Sequence, residues 1–352
     1  MARTNVQKTS ISYKHEAFVA KKSANFTLTI DCTHCIVGGG AVGGLFAWRL
    51  SQSPSVTVSL VCRSNHQTVS TQGYRINSAQ FGTSTYRPYA VHRTVEEAAL
   101  TGAFDYVIVA LKALPNKYDS AERIQAAVSP GTMILLFQNG IGIEEPFAQR
   151  FPRNPVVSSV SFVSVKHEDG VLRHGGFSML AAGVHQAGDM SAEEAKEQLR
   201  ELFRVFESQG VACSVHQDIQ PYRWQKHVLN GSTNPVSVLC GTSCQEMVKD
   251  APGRALLEAC MEEIFVLGKR VTGRAFPGVD GIVDAKSATE YIESIPVPVY
   301  TSMLGDAQAR RPMEHEVMLK NPIKLADRLG VDVPHMKALY ALVTMVEQTY
   351  SK

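Results

Sequence analysis

"HCIVGGGAVGGLFAWRLSQS", residues 34–53, runs from a short apolar stretch through a cluster of glycines into a segment with helical spacing. The apolar start reads as a buried strand, and Gly38-x-Gly40-x-x-Gly43 follows it and opens the helix. Glycines at this spacing allow a tight turn and the close approach of a pyrophosphate, whose charge meets free helix amides and the helix dipole. The spacing alone is a weak signal. Its context strengthens it, because "SVTVSLVCR" (55–63) supplies the next strand at the right distance. Gly38, Gly40, Ala41, Val42 and Gly43 are therefore the expected phosphate-facing loop of a dinucleotide site.

Further apolar strands are expected at "FDYVIVALKA" (104–113) and "TMILLFQNG" (132–140), with helical stretches near 94–101 and 117–128 between them. Strands alternating with helices imply a Rossmann-type, parallel, doubly wound α/β sheet. The second strand ends in "VCRSN" with no acid to accept from a ribose 2′-hydroxyl, whereas Arg63 offers a charge-assisted contact to a 2′-phosphate. NADPH/NADP+ is the cofactor this favours. Lys112 and Asn139 also end strands of the parallel sheet, where Rossmann ligands bind, although Asn139-Gly140 is equally a turn sequence.

After Phe151 consecutive strands are expected, with a turn at Asp169-Gly170. An amphipathic helix from about 191 to 209 carries a capping box in Ser191 and Glu194, and one more strand, "VACSVH", follows. From Ile219 onward nearly everything reads as helix, broken at Pro252, near Gly273 to Gly281 and around Pro296 to Pro298. The expected organisation is an extension over 1–31, a dinucleotide domain over 32–217 and an all-α domain over 218–352. A net charge of +2 supplies no broad basic field for nucleic acid or an anionic membrane. Seven scattered cysteines are not the pattern of a disulfide-stapled secreted fold, and no window approaches a membrane span. A cytoplasmic address follows, with a mitochondrial one as the alternative because the first 30 residues are basic and hydroxyl-rich.

Within the helical half, "KHVLNGSTNPVSV" (226–238) places Lys226, Asn230 and Asn234 on one stripe, since four residues advance roughly 400° along a helix. A solvent face would favour Lys, Glu and Arg, whereas Asn is a poor helix former usually kept for a cap or a specific bond. Pro235 removes a helix hydrogen bond directly after the last amide. A single Cys32-x-x-Cys35 pair is insufficient for zinc, so no metal site is expected, and His227 should point about 100° away from Lys226.

Taken with "LKA", "QNGIGIEE", "SMLGDAQARRPMEHEV" and "LGVDVPHMKALYALV", this stripe makes residues 33–348 resemble the ketopantoate reductases (2-dehydropantoate 2-reductases). The resemblance implies a second domain of the 6-phosphogluconate dehydrogenase C-terminal type. It also implies NADPH-dependent reduction of 2-dehydropantoate to (R)-pantoate in pantothenate biosynthesis. Lys226 would be the proton donor, and Glu314 the acid that binds the substrate hydroxyl and orients Lys226. Asn230, Asn234 and Ser302 would hold the substrate, Arg63 and Lys112 would grip the cofactor, and Asn139 would lie beside nicotinamide and substrate. The chain departs from the family after Glu314, with His315, Glu316 and Lys320-Asn321-Pro322, so a related reductase of another 2-oxo acid, ketone or imine is the alternative. A non-catalytic NADPH-binding regulator is a further one. The expected partner is a small 2-oxo acid, with no nucleic acid or membrane, and an apolar helical face leaves room for a homodimer.

Overall fold

Strand residues point alternately to opposite faces, so a strand covered on both sides is apolar throughout. In β1 (Cys32–Val37), Ile36 enters one hydrophobic cluster while Cys35 and Val37 enter another. β6 (Tyr106–Val109) and β7 (Met133–Leu136) divide their side chains between the same two clusters. Helices Ala41–Leu50 and Ala192–Ser208 cover the first face through Leu45, Phe46, Leu199 and Phe206. Val95, Ala98, Ile124 and Phe147 cover the second. The Ser191/Glu194 capping box closes the start of the second of these helices. This is the doubly wound arrangement expected from the sequence. The computed structural model describes residues 32–168 and 170–351; the expected extension (1–31) and Asp169 of the expected turn lie outside the described residues.

The sheet is mixed. With β2 (Val56–Val61), β3 (Tyr74–Ser78), β4 (Gly82–Tyr86), β5 (Ala90–His92), β8 (Val156–Glu168), β9 (Val171–Gln186) and β10 (Ala212–Val215), the order is β4-β3-β9-β8-β7-β6-β1-β2-β5, with β10 beside β9. The run β5-β2-β1-β6-β7-β8 is parallel. β9 then returns antiparallel to β8, and β4 runs antiparallel to β3. Two features differ from the sequence reading. β3, β4 and β5 occupy a Ser-, Thr- and Asn-rich stretch that carries no apolar run. The helix expected at 117–128 shrinks to a 3-10 turn, Glu122–Ala127, because the Asp119 carboxylate accepts from the Ala121 and Glu122 amides and offers that backbone an alternative.

The helical half is built round Gln220–Cys240, whose side chains are buried on nearly every face. It packs on Ala251–Thr272, Ser302–Gln308 and Pro334–Gln348 around Trp224, Val228, Met261, Ile264 and Phe265. The expected break near Pro252 falls at Asp250, whose side chain accepts from the Gly253 amide and so starts the next helix. Gly273 ends that helix in the left-handed conformation. Among the described residues, no helix is long and apolar enough to cross a membrane.

Candidate active site

The glycine loop lies between β1 and helix Ala41–Leu50, and its three glycines have different physical reasons. Gly38 has φ +118°, and a Cβ there would sit 2.7 Å from the Ala110 carbonyl carbon. At Gly43 a Cβ would fall 1.9 Å from the Gly38 oxygen, so the helix could not start this close to the strand. A Cβ at Gly40 would meet nothing within 4 Å. Gly40 is also the helix N-cap, with no side chain capping the first turn. Ala41 and Val42 open that turn half-buried. Open space above uncapped helix amides is what a pyrophosphate requires, so the residues present fit a dinucleotide. The loop is held from behind by Asn65 and the Tyr74 hydroxyl, which donate to the Gly39 carbonyl at 2.6 and 2.8 Å. Arg63 stands exposed just beyond β2.

The helix Gln220–Cys240 approaches the sheet through Arg223, which is 3% exposed. Its guanidinium donates to the carbonyls of Gln138 (3.1 Å), Gly140 (3.0 Å) and Ser159 (3.0 Å) and to the Ser158 hydroxyl (2.8 Å). It also pairs at 3.1 Å with Glu144, itself almost fully buried. Burial opposes the Glu144 charge, but Arg223, Ser158 and Gln220 outweigh it and hold the carboxyl below its usual range. One cation thus clamps the carbonyls of the residues on either side of Asn139 to the helix one turn before Lys226.

Lys226, Asn230 and Asn139 line one crevice together with Gln138, Gly140, Val160, Arg223 and His227. The Lys226 ammonium donates to the Ser161 carbonyl at 2.6 Å and lies 5.8 Å from the centre of the Phe162 ring. Desolvation pushes its pKa down to about 7; Arg223 acts in the same direction and Glu314 against it. Glu314 is pushed up to about 7, chiefly by desolvation, opposed by the Ala113 amide, which donates to it at 2.8 Å, and by Lys112. Lys226 and Glu314 feel each other's charge without forming an ion pair; the described ion pair here joins Lys112 to Asp306, whose other oxygen pairs with Arg311 at 3.1 Å.

The remaining sequence-predicted residues are spread around this crevice. Asn234 is buried one turn beyond Asn230 and is not among the lining residues. Ser302 is exposed as the first residue of its helix, while its neighbour Thr301 caps that helix and meets Ser237 at 2.6 Å. His227 does share the pocket wall, contrary to the helical-wheel expectation. Its Nε2 packs over Gly231, where a Cβ would be 2.7 Å away, so the missing side chain leaves room for the ring to reach the crevice. Arg223, Glu144 and Asp306 were not foreseen, because each partner lies far away in sequence. Beyond the stripe, Pro235 leaves the Gly231 carbonyl without its helical donor, and the Cys260 thiol faces that oxygen at 3.9 Å.

The profile of the family described as "Ketopantoate reductase PanE/ApbA" matches residues 34–186, and that of its C-terminal part matches residues 218–347. A 2-dehydropantoate 2-reductase from Methylococcus capsulatus superposes with a TM-score of 0.77 at 32% identity, over 91% of this chain and 98% of its own. The 2-dehydropantoate 2-reductase of Nostoc is 27% identical over 87% of this chain and 92% of its own. "Meiotically up-regulated gene 72 protein" of Schizosaccharomyces pombe is 30% identical over 87% of this chain, which spans only 55% of that relative. With both halves matched in order and the glycine loop and Lys226 helix in place, the chain belongs to the ketopantoate reductase family of oxidoreductases.

Proposed function

We propose that the chain reduces the C2 ketone of a small 2-oxo acid with NADPH, and that 2-dehydropantoate is that acid. The observation that carries this reading is one crevice shared by Lys226, Asn230 and Asn139, gripped against the sheet by Arg223. Bound at the glycine loop, NADPH would supply hydride to the carbonyl carbon. Gly38, Gly40, Ala41, Val42 and Gly43 would receive its pyrophosphate, Arg63 its 2′-phosphate and Lys112 a phosphate or ribose oxygen.

Reduction places negative charge on the carbonyl oxygen, and the Lys226 ammonium stabilises that charge and donates the proton. A pKa near 7 makes this amine a better acid than an exposed lysine, whose pKa is about 10.4. Glu314 supports the charged form of Lys226 and would accept from a substrate hydroxyl. Asn230, Asn234 and Ser302 would hold the carboxylate and hydroxyl ends without adding charge that displaces Lys226 further. Asn139 would bridge nicotinamide and substrate. Lys112, now paired with Asp306, would exchange that partner for cofactor oxygen. A homodimer is compatible with this reading.

The test follows NADPH absorbance with the purified chain against 2-dehydropantoate, other branched 2-oxo acids and cyclic imines. Turnover of 2-dehydropantoate well above the others supports the assignment. Good turnover of another substrate with none of 2-dehydropantoate would replace it with the alternative, which the residues after Glu314, His315, Glu316 and Lys320-Asn321-Pro322, favour.

A further inference from the structure

Between β6 and the 3-10 turn at Glu122–Ala127, Tyr118 is faced by two cations. The Arg123 guanidinium carbon lies 4.1 Å and that of Arg63 6.0 Å from the centre of the Tyr118 ring. The Tyr118 hydroxyl donates at 2.5 Å to the carbonyl of Lys112, so the ring is fixed to the strand end that also carries that lysine. Neither guanidinium has a carboxylate within ion-pair distance among the described residues. Of the two acids close by in sequence, Asp119 is taken by Arg150 at 2.9 Å and by two backbone amides, and Glu122, next to Arg123, is exposed and makes no ion pair with it. The Arg123 Nε is buried with no hydrogen-bond partner. Two guanidiniums facing one ring without an anion repel each other, and the buried Arg123 Nε lacks an acceptor; an anion within reach of both would relieve each.

We propose that Arg123 is a second cation for the cofactor's 2′-phosphate, and that Tyr118 is the aromatic surface that aligns Arg123 with Arg63. The inference rests on the NADPH reading above and deepens it. Arginine suits the task because its planar fork can meet a phosphate bidentately while its face lies on an aromatic ring. Arg63 is long, exposed and reaches the ring only at its edge of range. A half-buried Arg123 stacked on Tyr118 loses less freedom on binding the anion. Discrimination between NADPH and NADH would then come from both arginines rather than from Arg63 alone.

Calorimetric titration of the full chain with adenosine 2′,5′-bisphosphate and with 5′-AMP reads the 2′-phosphate without any turnover. Arg123→Gln should weaken the bisphosphate about tenfold, the size of one charge-assisted contact, and leave 5′-AMP within about twofold. Arg123→Lys should recover part of the loss, Tyr118→Leu should weaken the bisphosphate, and Tyr118→Phe should weaken it less. If Arg123→Gln binds the bisphosphate like the parent chain while Arg63→Gln does not, Arg123 has no such role and the NADPH reading stands. If the parent chain itself fails to prefer the bisphosphate over 5′-AMP, both the inference and the cofactor reading fall.

Discussion

Replacing Arg223 with methionine should be among the costliest single changes in the chain. The substitution keeps much of the side-chain length but removes the donors to Gln138, Gly140, Ser158 and Ser159 and leaves Glu144 charged without its cation. Glu144 would keep only the Ser158 hydroxyl at 2.6 Å and the Gln220 amide at 3.0 Å. Breaking a buried pair in this way costs about 3–5 kcal/mol, mostly from the uncompensated charge. The double variant Arg223→Met/Glu144→Leu removes that charge too, so it should be more stable than the sum of the two single losses predicts, by roughly 1–3 kcal/mol. Urea unfolding of the parent, both single variants and the double variant gives the cycle. A loss under about 1 kcal/mol for Arg223→Met, or strict additivity in the double variant, would refute the clamp. Because Arg223 holds the carbonyls of the residues on either side of Asn139, the folded fraction of Arg223→Met should also turn over more slowly.

The other expectations concern the loop, the pH response and His227. Gly43→Ala should disrupt the strand–helix join, since its Cβ would fall 1.9 Å from a carbonyl oxygen, whereas Gly40→Ala should fold normally and lose NADPH affinity; intact binding in Gly40→Ala, read by fluorescence titration, would place the pyrophosphate elsewhere. A donor lysine works in its protonated form, so kcat/KM should decline as pH rises through about 7. Removing the neighbouring carboxylate in Glu314→Gln takes away an attraction that favours the ammonium, and the alkaline limb should move to lower pH; an upward move would contradict the coupling. Both ring nitrogens of His227 are buried, neither makes a hydrogen bond of good geometry, and desolvation, aided by Arg223, pushes its pKa down to about 3 against the pull of the Met318 backbone. His227→Leu should therefore leave the unfolding midpoint unchanged or higher, and a loss above about 2 kcal/mol would reveal a bond that the ring makes.

The glycine loop and the parallel strands were legible because their information is local: an apolar run, a glycine spacing and the next apolar run. The same locality hid β3 and β4. Tyr74, Ile76 and Ser78 do alternate with exposed residues, but Ser, Thr, Asn and Gly make up so much of the stretch that it reads as loop. Lys226 and Asn230 stood out by residue type, since a buried helix has few reasons to carry an amine and an amide at one-turn spacing. Wheel geometry misplaced His227, because the angle between neighbours ignores the room left by Gly231 and the length of an imidazole. Arg223 with Glu144, and Lys112 with Asp306, join residues that only the folded chain brings together. A sequence offers each of these charges singly, and a single charge reads as surface.

In the proposed reaction Lys226 is the group that delivers the proton. The direct measurement compares Lys226→Ala with the parent chain in two quantities, kcat with NADPH and the preferred 2-oxo acid, and the Kd for NADPH. General acid catalysis of this kind contributes roughly 10²–10⁴-fold, so kcat should fall within that range while the NADPH Kd stays within about threefold. Retained turnover, or equal losses in turnover and cofactor affinity, would contradict that role.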